Sequence, residues 1–364
     1  MIVAEYWNQF QPPLFRVLAS ALEEPLTSKL EQCIRIWDVV RIEDYVRGSS
    51  RRQMGRPEHC RRSIARAFVA KCVYNLATTE SLLDLLKSNR SLRRLCGFES
   101  TRKVPSSATF SRAFDEFAAS SLGDRVHLSL VEQHVGDQIV MHGSTDATAV
   151  HAREKPVAKV KAERPPKKRR GRPKKGEVRP PIELKRTEKQ LAQSGSEGLS
   201  ELPRSCDIGA KTNSKGNTEY WIGWKTHIYW ADGAIPLTAI TTSASLQDGQ
   251  AAIPVLKLTA GRAFVLYDLM DRGYDSDVIR QASRELGHVP LIDFQKRGST
   301  LRVFDPAEAD RYKNRTTAER GFSRLKDEFG LRNLRVRGHP KAHMHIMFGV
   351  LALFADQLLK PYIS

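Results

Sequence analysis

The sequence is short of acid, of paired cysteine and of long apolar runs, and each shortage excludes something. Its 364 residues hold 41 acidic side chains against 59 basic ones, a net charge of +18. That imbalance favours a polyanionic partner, nucleic acid first and an anionic membrane surface second. The longest apolar run, Ile346 to Ala355, is about ten residues, half of the roughly 20 a spanning helix needs, so no membrane role is expected. The opening MIVAEYWNQF has neither the basic n-region nor the apolar h-region of a secretory signal. Cys33, Cys60, Cys72, Cys96 and Cys206 are odd in number, scattered and without a CxxC pair. This speaks against a disulfide framework or a thiolate zinc site and fits free thiols in an intracellular protein.

What is present reads as an ordinary globular chain, 40% hydrophobic and 27% charged, long enough for two domains. From Pro12 to about Ala119 apolar residues recur at three- and four-residue spacings, as in PLFRVLASALEEPL, SKLEQCIRIWDVVRIEDYV and IARAFVAKCVYNLA. ESLLDLLKSNRSLRRLCGF adds Glu80 in a first helical turn, and Ser106 or Ser107 is an N-cap for the next helix. Residues 1–135 are therefore expected to form a helical, DNA-binding domain, with the arginines of RRQMGR and CRR as phosphate contacts or a solvated face.

Beyond it the period changes. DQIVMHGSTDATAV is a strand reading that leads to Asp146. TEYWIGWKTHIYWA and AIPLTAITTSA form a hairpin about Asp232-Gly233. DGQAAIPVLKLTAG suits a helix and RAFVLYDLMDRGYD a buried strand. SDVIRQASRELG is a helix between Ser276 as N-cap and Gly287 as stop, and HVPLIDF a short strand. TTAERGFSRLKDEFG and KAHMHIMFGVLALFADQLL close the chain as helices. This order predicts an α/β domain over residues 136–359, a mixed sheet with flanking helices whose first strands are antiparallel.

Between Arg153 and about Pro203 Lys, Arg, Pro, Gly, Ser and Glu dominate, so this stretch is expected to be a flexible basic insertion. Residues 153 to 189 alone carry 16 basic and 5 acidic side chains.

Three carboxylates fall at places where chemistry is expected. Asp146 follows the first strand, Asp271 follows VLYDLM, and Glu319 lies on the penultimate helix. Open α/β sheets bind ligands outside the carboxyl ends of their strands, where Asp146 and Asp271 could meet. Converging carboxylates are tolerated around divalent cations, the arrangement used in two-metal phosphoryl transfer. Position alone does not separate this reading from capping and turn aspartates.

The neighbouring residues narrow it. YKNRTTAERGFSRLK places Tyr312, Arg315, Glu319 and Lys326 at the spacing of the Y-(2)-R-(3)-E-(6)-K signature of bacterial insertion-sequence DDE transposases. MDRGYDS resembles that family's block around the second carboxylate, and STDATAV the block around the first. NSKGNTEYWIGWKTHIYWADGAIPLTAITTSASLQDGQ resembles the hairpin between them. The resemblance covers roughly Asp137 to Leu359. It implies an RNase H-like domain in which Asp146, Asp271 and Glu319 hold two Mg²⁺ ions, with Mn²⁺ as a substitute. It also implies cutting at transposon ends and joining of the freed 3′-hydroxyl to target DNA. The implied partners are double-stranded DNA, both terminal inverted repeats and target, and a second copy of the chain in a synaptic homodimer. The implied location is the bacterial cytoplasm, with the nucleoid. Tyr312, Arg315 and Lys326 are expected at phosphates near the scissile bond, Arg315 and Lys326 on roughly the face of Glu319. About 48 positions separate Asp271 from Glu319, too few for the β-rich insertion of some relatives.

Several neighbours admit two roles. Asp268 and Asp275 flank Asp271 as alternative ligands, though the motif register selects Asp271. Lys225 and His227 either reach DNA or belong to a strand face, and Trp221, Trp224 and Trp230 are expected in the core. His339, His343 and His345 lack a thiolate or acidic partner at zinc spacing and are expected on a helix surface. In KKRRGRPKKGE, the core Arg170-Gly171-Arg172-Pro173 resembles an AT-hook, whose arginines enter a narrow A·T-rich minor groove; a charged linker is the other reading. Two other functions stay open: a DNA-binding or architectural protein with an inactive RNase H-like domain, and a nuclease without strand transfer.

Overall fold

The computed structural model describes residues 26–47, 59–158, 183–212, 216–295 and 303–360. Arg51 to Arg56 and the basic tract with Arg170 and Arg172 lie outside these residues.

The helical periodicity of the first third folds as its spacing dictates. α1 (Ser28–Val40) buries Leu30, Cys33, Ile34 and Trp37, and Thr27 caps it by accepting from the Leu30 N–H. α2 (Arg61–Val73), α3 (Thr79–Ser88) and α4 (Arg90–Leu95) follow. Thr78 and Asn89 accept from the backbone N–H groups of Ser81 and Leu92, so the short α3 and α4 each start on a side-chain cap. α5 (Ser107–Ala119) buries Phe110, Ala113, Phe114 and Phe117, one stripe at i, i+3, i+4, i+7, with Ser106 as the cap. α6 (Leu122–His134) completes the module. Arg61 does not face solvent alone, since its guanidinium donates twice to Glu116, at 2.6 and 2.7 Å.

β1 (Ile139–His151) is the axis of a six-stranded mixed sheet. It runs antiparallel to β3 (Thr218–Ala231), from Ser144 opposite Trp230 to His151 opposite Gly223. On its other edge it runs parallel to β5 (Phe264–Met270), and β5 runs parallel to β6 (Val289–Ile292). The outer edge of the hairpin is β4 (Ile235–Ser243), antiparallel to β3. β2 (Asp207–Thr212) pairs with the first half of β3 and had no counterpart in the sequence reading. Its alternate side chains Ile208, Ala210 and Thr212 are exposed, so it lacks a strong apolar signature. Four strands joined by antiparallel pairings, β1 to β4, followed by β5 and β6 parallel to β1, with helices on the faces, make an RNase H-like α/β fold.

The faces are covered by α9 (Gly249–Ala260), α10 (Asp277–Glu285), α12 (Thr316–Asp327) and α13 (His339–Leu358), with α11 (Pro306–Tyr312) leading into α12. Gly287 has φ +82° just past α10, where it ends the helix as its position suggested. Gly321 on α12 makes room for Trp230: a Cβ there would lie 2.6 Å from the indole ring. Trp230 in turn meets Phe322 edge-on at 5.1 Å. These contacts fix α12 across β1 and β3. α13 packs on β4 and on α1, α2, α5 and α6, with Phe348 5.4 Å from Phe68 and 6.0 Å from Phe114. One hydrophobic core therefore runs through the helical module and the sheet. Each such phenylalanine contributes roughly 1.5–3 kcal/mol by leaving water.

The expectation of disorder from Arg153 to Pro203 is corrected over its last part. α7 (Arg186–Ala192) and α8 (Gly195–Ser200) are folded against α9. The Lys257 ammonium on α9 donates to the carbonyls of Gln190, Leu191 and Gln193, and Gln190 donates to the Gln250 carbonyl. Tertiary hydrogen bonds, not local apolar pattern, hold this segment. Among the described residues, no helix is long and apolar enough to cross a membrane.

Candidate active site

Asp146 does not follow β1, as the sequence suggested, but lies within it, because β1 continues along β3 to His151. The parallel pairing with β5 stops earlier, at Thr145 opposite Met270. Asp146 and Asp271 are each the next residue, so both step off the end of the parallel ladder together. They line one cavity of about 560 Å³ with Asp248, Lys211, Lys225, Lys326 and Arg332.

The electrostatics of this cavity follow from that proximity. Burial, and then the Asp271 charge, push the Asp146 carboxyl up to about 6, although the Ala147 N–H bonds its charged form at 2.8 Å. Asp271 is raised by burial as well, against the Gly273 N–H at 2.8 Å and the Arg315 charge. Asp248 adds to both shifts as a third negative charge. The Tyr274 hydroxyl, buried without a hydrogen-bond partner among the described residues, feels the charges of Asp248, Asp146 and Asp271.

Arg315 answers these carboxylates. Burial works against its charge, but Tyr312, Asp146, Glu319 and Asp271 outweigh it and hold the guanidinium above its ordinary value. It donates to Glu319 at 2.6 Å, and its backbone carbonyl accepts from Ser144 at 3.5 Å. Glu319 itself is exposed and does not line the cavity with the two aspartates. Among the described residues no three His, Cys, Asp or Glu side chains lie close enough to hold one metal ion. Asp146 and Asp271 are thus together and Glu319 is apart, tied to Arg315. Lys326 reaches the cavity without an ion pair among the described residues; burial, then Arg332 and Lys211, lower its ammonium. Tyr312 is placed differently from the expectation of a phosphate contact. Its hydroxyl donates to the Met270 carbonyl at 3.0 Å, and its ring lies on Phe304 at 4.9 Å, so it braces the backbone just before Asp271.

The competing candidates separate by burial. Asp268 is fully buried and accepts from Tyr229, from Ser283 at 2.5 Å and from His288 at 3.0 Å, which makes it a core anchor. Asp275 pairs with Arg280 at 2.9 Å and accepts from the Gln295 N–H. His227 is buried on Thr242 at 2.9 Å, whereas Lys225 reaches the cavity but is held by the Leu246 carbonyl at 2.8 Å and Asp248 at 2.9 Å. Trp221, Trp224 and Trp230 are in the core as expected. His339, His343 and His345 are not on an open helix surface. His339 bonds the Thr241 carbonyl, His343 bridges the Thr241 hydroxyl and Asp124, and His345 bonds the Gly330 carbonyl. Their partners come from elements remote in sequence, which spacing along α13 cannot reveal.

Sequence reasoning missed Asp248, Lys211 and Tyr274. Asp248 was legible in part, since TSASLQDGQ places it between β4 and α9, at the sheet end where the two aspartates lie.

Comparison with known families gives two matches along the chain. A transposase domain (DUF772) matches residues 20–116, and a transposase DDE domain matches residues 142–355. No curated protein and no solved structure matches the chain. The DDE match spans more than half of the sequence and contains Asp146, Asp271 and Glu319, and the chain belongs to the DDE transposases.

Proposed function

We propose that this enzyme cuts DNA at transposon ends and joins the freed 3′-hydroxyl to target DNA, with Asp146, Asp271 and Glu319 as the catalytic carboxylates. The observation that carries the reading is that Asp146 and Asp271 both come directly after the last pair of the parallel ladder and line one cavity that also presents Lys211, Lys326 and Arg332.

The donor set fits a divalent cation. Two adjacent desolvated carboxylates repel one another, and hard oxygen ligands of this kind suit Mg²⁺ or Mn²⁺. Asp146 and Asp271 would hold the metal, and Glu319 would join them on leaving Arg315. Bound there, a pair of ions would supply charge neutralisation at the phosphate and at the attacking and leaving oxygens. The chain's own residues orient the substrate. Lys326 and Arg332 bind backbone phosphate at the cavity wall, and Arg315, once free of Glu319, neutralises charge beside the scissile group. Tyr312 fixes the Met270 carbonyl and with it the position of Asp271. Double-stranded DNA is the substrate, and two copies of the chain would bring two ends together.

The test is cleavage of DNA carrying the element's own ends, with Mg²⁺ or Mn²⁺, for the wild type and for Asp146→Asn, Asp271→Asn and Glu319→Gln. Each variant should bind the duplex and leave it uncut, and chelation should stop the wild type. Normal cutting by Asp271→Asn would overturn the assignment. Binding without any metal-dependent cutting would mark an architectural protein, and cut ends never joined to target would mark a nuclease.

A further inference from the structure

A second cavity, also about 560 Å³, opens between the helical module and the catalytic domain. Its walls bring together Lys71 from α2, Arg153 just beyond β1, and Arg335 and Arg337 from the segment before α13. None of the four makes an ion pair or a side-chain hydrogen bond among the described residues. Lys71 is 8% exposed. An ammonium so enclosed without a direct ion pair is costly, and an anion arriving in the cleft would offset that cost. The two acids of the cavity are already engaged: Asp115 with Lys341 at 2.7 Å, and Glu80 as acceptor from the Ser107 hydroxyl at 3.0 Å. Burial lowers the Lys71 ammonium, nearby Cys72 and Glu80 raise it, and the Arg335 charge lowers it again, so an incoming anion would meet a cluster of cations. Thr79 and Ser111 add hydroxyl donors to the wall.

The cleft is continuous in sequence with the active site. The first cavity is lined by Asp146 to His151 and by Lys326, Leu331 and Arg332; the second takes Arg153, Arg335 and Arg337 from the same two segments. Seven residue steps, the first five along β1, lead from Asp146 to Arg153, a reach of at most about 25 Å. That is roughly seven base-pair steps of about 3.4 Å along one DNA strand.

We propose that this cleft is a second DNA-backbone site, which receives a duplex phosphate on Lys71, Arg153, Arg335 and Arg337 while the scissile phosphate occupies the Asp146–Asp271 cavity. The proposal rests on the transposase reading for its ligand. It makes the helical module and the catalytic domain share one phosphate contact, so that the duplex is gripped across their junction.

The experiment measures binding of a fluorescein-labelled random duplex of about 30 base pairs between 50 and 200 mM salt, where each lost phosphate contact flattens the log–log slope by about 0.9. The proteins are the full chain, Arg335→Gln/Arg337→Gln, and Lys71→Gln. The double variant should bind at least about tenfold more weakly at low salt and lose about one unit of slope, while still cutting at saturating DNA. Lys71→Gln should change in the same direction. Both arginines are exposed, so the double variant keeps its fold even where Lys71→Gln does not. Unchanged affinity and slope in the double variant, with an unchanged melting temperature, would overturn the proposal. If Asp271→Asn still abolishes cutting in that case, the cleft alone has failed and the transposase reading stands.

Discussion

Arg315 and Glu319 lie one helical turn apart and share a 2.6 Å charge-assisted hydrogen bond, while the charges of Asp146 and Asp271 also act on Arg315. The guanidinium therefore couples electrostatically to all three carboxylates of the signature. If it positions them, Arg315→Gln should lower the cleavage rate by about 10²–10³, the order of cost known for losing one preorganised donor to a developing negative charge. Duplex affinity should fall less than tenfold. Single-turnover cutting at saturating DNA reads the first quantity and fluorescence anisotropy the second. A rate within threefold of wild type would remove Arg315 from the site.

Asp268 and Asp271 are three residues apart and should fail in opposite ways. Asp268 accepts three side-chain hydrogen bonds in the core, so Asp268→Asn breaks a buried network and should cost about 2–4 kcal/mol of stability. Asp271→Asn removes a carboxylate held above its ordinary value by burial and should leave the melting temperature unchanged or raised while ending cleavage. Thermal melts of the two variants side by side test this, and a large loss of stability in Asp271→Asn would contradict it.

Acid should weaken the fold before it reaches the carboxylates' usual range. Burial lowers His127, His227 and His339 to about 4 and His345 to about 3. Between about pH 6.5 and 4 the unfolded chain binds protons at these four imidazoles that the folded chain refuses, so stability falls as pH falls. Asp38 and Asp146, both raised to about 6 by burial, and Asp271, raised in the same direction, act oppositely in that window, because the folded form takes up the proton first. The histidines outnumber them, and each unbalanced proton is worth about 1.4 kcal/mol per pH unit. The melting temperature should drop from pH 7 to pH 5, and His345→Gln, which keeps an N–H for the Gly330 carbonyl, should reduce the drop. A flat profile would refute this.

The basic tract gives a separate expectation. Deleting Arg164 to Lys175, which contains Arg170 and Arg172, should weaken general duplex affinity and flatten its salt dependence, with cutting at saturating DNA retained. Titrations of the deleted and full chains at several salt concentrations measure it. Loss of cutting at saturation would place the tract in the chemistry.

Much of this architecture was legible because it is written in period. Phe110, Ala113, Phe114 and Phe117 announce α5, and FVLYDLM announces a buried strand. Asp271 was legible through its neighbours in MDRGYDS, and the burial of Asp268 agrees with that choice. What spacing could not show depends on partners far along the chain. α7 and α8 look like linker until Lys257 and Gln250 supply their hydrogen bonds, and β2 exists because β3 offers it an edge. The tie between Glu319 and Arg315, unlike their shared helix face, needed coordinates. So did the cleft assembled from Lys71, Arg153 and two later arginines.

The end of the parallel ladder at Thr145 and Met270 has a further consequence for how tolerant the chemistry is to sequence change. Neighbouring strands repeat at about 4.8 Å whatever side chains they carry. The separation of the Asp146 and Asp271 backbones is thus metered by peptide groups rather than by core side chains. Substitutions in the surrounding core can accumulate without moving these two positions apart, provided the strands stay in register. A one-residue slip of β5 would be different in kind: it would turn Asp271 to the opposite face of the sheet and silence the site at a stroke.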